Sequence, residues 1–264
     1  MAVTVHAHEY KLSRALQHLD SYNGMMKRWV DFNTKSLPFK FDPEVIDQGT
    51  RYTVYWQPIE ELPIVQLGLF IGDFLHNLRS ALDHLAYELA VAYTHPLPDR
   101  AAETSEFPIF WKGPMDARQE QAKIGCVHPN AAKLINAIQP HHKGSKYKED
   151  PFWILNELER IDKHRTLHLG VHELTKNDIV GKNVGVTSLT AMSPPEGLKK
   201  GAKVAEFCVA RIDPNQPMHL EYRPSTTITF GAGLPLSGKP VGSSLMQIFD
   251  DVKRIAIAPL ERFL

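Results

Sequence analysis

Cysteine is scarce in this chain: Cys126 and Cys208 are its two examples, far apart and in no Cys-x-x-Cys pair. That excludes a disulfide framework or a cysteine-built zinc site as the organising device, and it suits a reducing cytosol. An excess of either charge is also missing, since Lys+Arg and Asp+Glu are both 30. A strongly basic, nucleic-acid-coating body is therefore not indicated, which leaves only local basic patches. No run of about 18 apolar residues is present, so no membrane span is expected. The start, Met1-Ala2-Val3-Thr4-Val5-His6-Ala7-His8-Glu9, lacks the basic and apolar regions of a signal peptide, and a cytoplasmic location is expected. The GxSxG, GxGxxG, HExxH and protein-kinase signatures are absent, and nothing implies an organic cofactor.

What the chain does have is an ordinary globular composition over 264 residues, 43% hydrophobic and 23% charged, together with 13 histidines. Apolar spacing predicts a long amphipathic helix over 8–33 with Leu12, Leu16, Leu19, Tyr22, Met26 and Trp29 on one face, ended by Leu37-Pro38. Residues 39–57 read as a hairpin turning at Gln48-Gly49. A second long helix is expected over 62–93, a Pro-containing connection over 95–113, and short helices over 115–123 and 129–138. The basic stretch from His141 to Lys148 reads as a mobile solvated loop, without the glycines of a Walker motif. Asp150-Pro151 is a helix start, with Asp as N-cap and Pro in the first turn.

After residue 168 the pattern becomes strand-like, over Val184–Leu189, Lys203–Ile212, Met218–Tyr222 and Thr226–Phe230. A last helix is expected over 244–262, capped by Ser243 or Ser244. The fold class is α+β. Long antiparallel helices fill the first two-thirds, to about residue 168; a small antiparallel sheet spans about 169–242; and a helix closes the chain over about 243–262. All of it is expected to form one integrated domain, with the segment 39–57 joining the later sheet.

The sharpest functional signal lies in the second long helix. Phe74, Leu78, Ala81, Leu82, Leu85 and Leu89 form its core stripe. Asp73, His76, Asn77, Ser80, Asp83, His84 and Tyr87 fall within an arc of about 120° on the other side. A merely solvated face would be rich in Lys and Glu. This one carries short acids, amides, hydroxyls and imidazoles, which bind metals, move protons or make directed hydrogen bonds.

Within it, Arg79-Ser80-Ala81-Leu82-Asp83-His84 resembles the Arg-x4-His signature of the HEPN helical nucleases. The likeness covers this helix and its helical setting. It implies a metal-independent endoribonuclease of toxin or defence type, acting as a homodimer on RNA, with a cognate antitoxin or other protein as partner. In that reading His84 takes the 2′-hydroxyl proton, Arg79 faces the phosphate, and Asp83 or Asn77 orients the imidazole, with His76 nearby. Five residues separate Arg79 and His84 by about 140° on one helix, so a two-fold dimer would be needed to bring them together. The run, with Asp162-Lys163-His164-Arg165, also resembles a group of uncharacterised bacterial proteins, a likeness that implies no activity.

The same residues carry two other readings. In the first, the protein is non-enzymatic: Arg79 and Asp83 form a helix-surface ion pair, the polar cluster is structural, and the sheet binds a partner. Asp162 or His164 then meets the polar face, so that Asp73, His76, Asp83, His84, Asp162 and His164 share one internal polar cluster, with Ser80 and Arg165 in support. In the second, His76, Asp83 and His84, or His164, His168 and His172, supply a metal-dependent hydrolase of helical-bundle type. Neither set has the spacing of an established metal motif, so no metal ligand is assigned.

Overall fold

The computed structural model describes residues 6–35, 39–57, 60–165, 167, 169–192 and 200–264. Two long helices form the spine. α1 spans Ala7–Lys35 and α2 spans Ile64–Tyr93. They run antiparallel: His8 faces Glu88, His18 faces Asp73, and the Trp29 indole N–H donates to the Glu60 carbonyl. α2 contains no proline, and its Leu and Ala residues favour helix, with Phe74, Leu78, Leu82 and Leu85 fully buried. Each such side chain contributes about 1.5–3 kcal/mol of hydrophobic stabilisation. Thr94 ends the helix in an extended conformation, its N–H returning to the Ala90 carbonyl.

A connection containing α3 (Asp99–Thr104) leads to α4 (Ala117–Ile124) and α5 (Pro129–Ala137). α4 starts with a capping box in which Asp116 and Gln119 satisfy each other's backbone N–H groups. The expected mobile loop is instead a pair of 3₁₀ turns over Pro140–Glu149. It is held by Lys143 on Asp150 at 3.0 Å and by the His141 N–H on the Phe110 carbonyl at 3.0 Å. α6 (Pro151–His164) follows, and the Asp150 carboxylate caps its first turn by accepting from Phe152 N–H. α6 lies antiparallel to α2, with Phe152 stacked on Phe107 at one end and Asp162 against Gly72 at the other.

The strands are β1 (Phe39–Ile46), β2 (Gly49–Trp56), β3 (Leu169–Lys182), β4 (Val184–Ala191), β5 (Lys203–Arg211) and β6 (His219–Phe230). They make a four-stranded antiparallel sheet, ordered β1-β2-β5-β4, and a separate β3–β6 ribbon. The early hairpin thus pairs with the later strands through β2 and β5. The expected strands over Met218–Tyr222 and Thr226–Phe230 merge, from His219 on, into one continuous strand, β6, whose long partner β3 has no plain period-2 apolar pattern.

A second apolar cluster under the sheet contains Trp29, Val54, Trp56, Phe207, Val209 and Tyr222. α1 serves both clusters, with Leu12, Leu19 and Tyr22 in the helical core and Trp29 in the other. The C-terminal helix α7 (Val241–Val252) starts directly after Pro240, so neither Ser243 nor Ser244 is its cap. One π turn, Lys253–Ile257, joins it to α8 (Ala258–Glu261). No helix among the described residues is long and apolar enough to cross a membrane.

Candidate functional site

The polar face of α2 resolves into two linked groups, of which the first is a backbone clamp. Residues 105–110 after α3 form no helix or strand, and Phe107 and Pro108 among them are buried. A buried residue outside helix and sheet must find other partners for its N–H and C=O groups. Arg79 and Asp83, one turn apart on α2, supply both for Phe107. The Arg79 Nη2 donates to the Phe107 carbonyl at 2.7 Å, and the Phe107 N–H donates to Asp83 Oδ1 at 3.0 Å. The two side chains also pair with each other at 3.0 Å. Gln139 treats the next residues the same way, donating to the Pro108 carbonyl at 3.0 Å and accepting from the Phe110 N–H at 2.9 Å.

The expected Arg79–Asp83 pair therefore exists, with Arg79 mostly buried and Asp83 about one-third exposed. Arg79 Nη1 is sealed from solvent and donates to no described acceptor. Burial works against the charge of Arg79 and lowers its pKa, while Asp83 and Glu159 support that charge. Burial raises the Asp83 carboxyl, against the pull of Arg79, the Phe107 N–H and Lys123. Lys123, from α4, pairs with Glu106 and has its own pKa lowered, first by burial and then by repulsion from Arg79.

The second group lies one to two turns earlier, where α6 crosses α2. Glu159 Oε1 is 2.6 Å from Lys163 Nζ and 3.5 Å from His76 Nδ1, ion-pair contacts outside hydrogen-bond geometry. Asp162 sits against Gly72, and a Cβ at position 72 would overlap its carboxylate. Partial burial, then Asp73, then Glu159 raise the Asp162 carboxyl, while His76 pulls it down. His18 of α1 reaches Asp73 at 3.6 Å.

The remaining sequence-selected residues are dispersed. Asn77 spends its side-chain N–H on the Asp73 carbonyl of its own helix, at 2.8 Å. Ser80 and His84 are half-buried and, among the described residues, make no hydrogen bond or ion pair. His164 and Arg165 are exposed at the end of α6, away from Asp162's contact with α2. His168 and the side chain of His172 lie outside the described residues. His76, Asp83 and His84 do not gather as metal ligands; the one described group that does is His6, His8 and Glu88.

Sequence reasoning missed the parts of the site whose role is set by a distant backbone. Nothing local marks Gln139 as a partner of the Pro108–Phe110 backbone, or Glu159 as a partner of the α2 face. Gly72 carries a faint signal, as a glycine inside a strongly helical run. His6-Ala7-His8 carries another, as two imidazoles at the start of a helix, but Glu88 is recognisable only once α1 lies along α2.

Comparison of the chain with protein-family models, curated proteins and solved structures returned no match.

Proposed function

We propose that this chain is a non-enzymatic binding protein. In this reading the α2 polar face holds the fold, and the β4 edge of the four-stranded sheet, unpaired on its outer side among the described residues, receives a strand of a second copy. The observation that carries the first half is the use of Arg79: its guanidinium is occupied by Asp83 and the Phe107 carbonyl. For Arg79 to meet an RNA phosphate, as an endoribonuclease would require, the clamp on Phe107 would have to open. His84 has no described partner to orient it as a base.

The second half rests on β4. Its sequence, Val184-Gly185-Val186-Thr187-Ser188-Leu189-Thr190-Ala191, carries no charge and no proline. Natural sheets guard their edges with charges and prolines, and the opposite edge, β1, does so with Lys40, Asp42, Pro43 and Glu44. β4 has only a bulge between Val186 and Ser188. Val186 and Leu189 are paired with Val209 and Phe207 and share their face. Val209 and Phe207 are buried, whereas Val186 and Leu189 are 44% and 42% exposed. The apolar layer thus runs past its cover at this edge. Antiparallel pairing of two β4 strands across a two-fold axis would complete it, by the strand addition that many recognition domains use.

Light scattering on the purified protein tests this reading. The wild type is expected to be a dimer and Leu189→Lys a folded monomer. A monomeric wild type, or a dimer untouched by Leu189→Lys, would overturn the β4 interface. RNA cleavage that is present in the wild type and abolished by His84→Ala would restore the nuclease.

A further inference from the structure

Where α1 begins, three side chains converge that the α2 clamp does not use. His6 precedes the first helical residue, Ala7, so the two imidazoles of His6-Ala7-His8 are not spread around a helix; their ring centroids are 5.6 Å apart. Glu88 reaches them from the last third of α2. One donor atom from each of His6, His8 and Glu88 lies within 4.8 Å of the others. Glu88 Oε2 is 2.5 Å from His8 Nδ1 and 3.6 Å from His6 Nδ1.

We propose that His6, His8 and Glu88 bind one divalent transition-metal ion of the zinc class, with Glu261 orienting His8. Bonds of 2.0–2.2 Å place tetrahedral ligand atoms about 3.3 Å apart, so His6 and Glu88 are already near that spacing, and His8 and Glu88 need to open by less than about 1 Å. Binding would expel the proton shared between His8 Nδ1 and Glu88, replacing that hydrogen bond by two metal bonds.

The surroundings are those such a site needs. His8 is fully buried, and its Nε2 faces Glu261 Oε1 of α8 at 3.0 Å. A carboxylate on the far nitrogen fixes the tautomer that leaves Nδ1 with a lone pair for the metal. Glu88 Oε1 is held by the Ala7 N–H at 2.7 Å, which leaves Oε2 to ligate. The charges of Glu88 and Glu261 together balance a divalent ion. Two imidazoles and one carboxylate leave a fourth position, on the half-exposed His6 side, for water. The ion would tie the start of α1, the end of α2 and the C-terminal α8 together.

Equilibrium dialysis of metal-stripped protein against Zn²⁺, followed by elemental analysis, tests the site, with circular dichroism to verify folding. The wild type is expected to retain one equivalent. His6→Ala, at a half-exposed position that leaves the core intact, and Glu88→Gln should each bind at least tenfold more weakly. Glu261→Gln should weaken binding about 10–100-fold, as loss of an orienting carboxylate does. A His141→Ala/His142→Ala variant, which removes another imidazole pair with centroids 4.0 Å apart, should bind like the wild type. Less than a tenth of an equivalent in the wild type would overturn the proposal. So would unchanged affinity in folded His6→Ala and Glu88→Gln, or loss in the His141/His142 variant alone.

Discussion

Arg79 and Phe107 are joined side chain to backbone: the guanidinium Nη2 donates to the Phe107 carbonyl at 2.7 Å. With the Phe107 N–H on Asp83, both backbone groups of one fully buried residue are satisfied from a single turn of α2. Arg79 and Asp83 thereby stand in for a neighbouring strand. An Arg and an Asp at i and i+4 read as a surface ion pair; the same spacing here serves the two backbone groups of one buried residue.

Gly72 and Asp162 form a size-matched contact between α2 and α6, and a double-mutant cycle should expose it. In the wild-type background Gly72→Ala is expected to destabilise, because the new Cβ would overlap the Asp162 carboxylate. In an Asp162→Ala background the same change should stabilise, by up to about 1 kcal/mol, the ordinary gain of Ala over Gly in a helix. Chemical denaturation of the four proteins reads the change of sign.

The raised Asp162 carboxyl has a consequence with a definite sign. Its folded pKa lies above its unfolded one, so it favours the folded state at low pH and loses that contribution as pH rises through the raised value. Asp162→Asn removes the burial cost and the repulsion from Asp73 and Glu159. Because the side chain is only partly buried, solvent screening keeps the gain near about 0.5 kcal/mol at pH 7. The gain should shrink as pH falls through the unfolded Asp value of about 3.9 and be gone near about pH 3, where the carboxyl is protonated in both states. Thermal unfolding of the two proteins across that range measures it.

Asp150 is the cap on which α6 depends. It is buried, accepts from the Phe152 and Trp153 N–H groups and pairs with Lys143. Asp150→Ala should cost about 1–2 kcal/mol, read from urea denaturation. Lys143→Ala should cost less, because Lys143 is far more exposed than Asp150.

Much of the α+β architecture was legible before the structure. The helix stripes of α1, α2 and α6 follow period 3.6, Asp150-Pro151 announced its helix, and Arg51-Tyr52-Thr53-Val54-Tyr55-Trp56 announced β2. What failed did so for physical reasons. β3 mixes charged and apolar residues in a two-stranded ribbon, so alternation does not mark it. Val241 starts α7 without a side-chain cap, because Pro240 and the preceding turn set the chain direction. At the site, the types of residue on the α2 face were legible, as was an approach of Asp162. The partners of Arg79 and Asp83 were not, since hydrogen bonds to a backbone 24–28 residues away leave no trace in side-chain identity.

Arg79 is the side chain that ties α2 to the buried Phe107 backbone. Arg79→Met keeps the stem and removes the guanidinium, leaving the buried Phe107 carbonyl without its side-chain donor and Asp83 without its cation. Equilibrium unfolding of the two proteins in urea is the direct measurement. The clamp predicts that Arg79→Met is less stable by about 1–3 kcal/mol, the cost of leaving the buried Phe107 carbonyl without its side-chain donor. An Arg79→Met protein as stable as the wild type would contradict it.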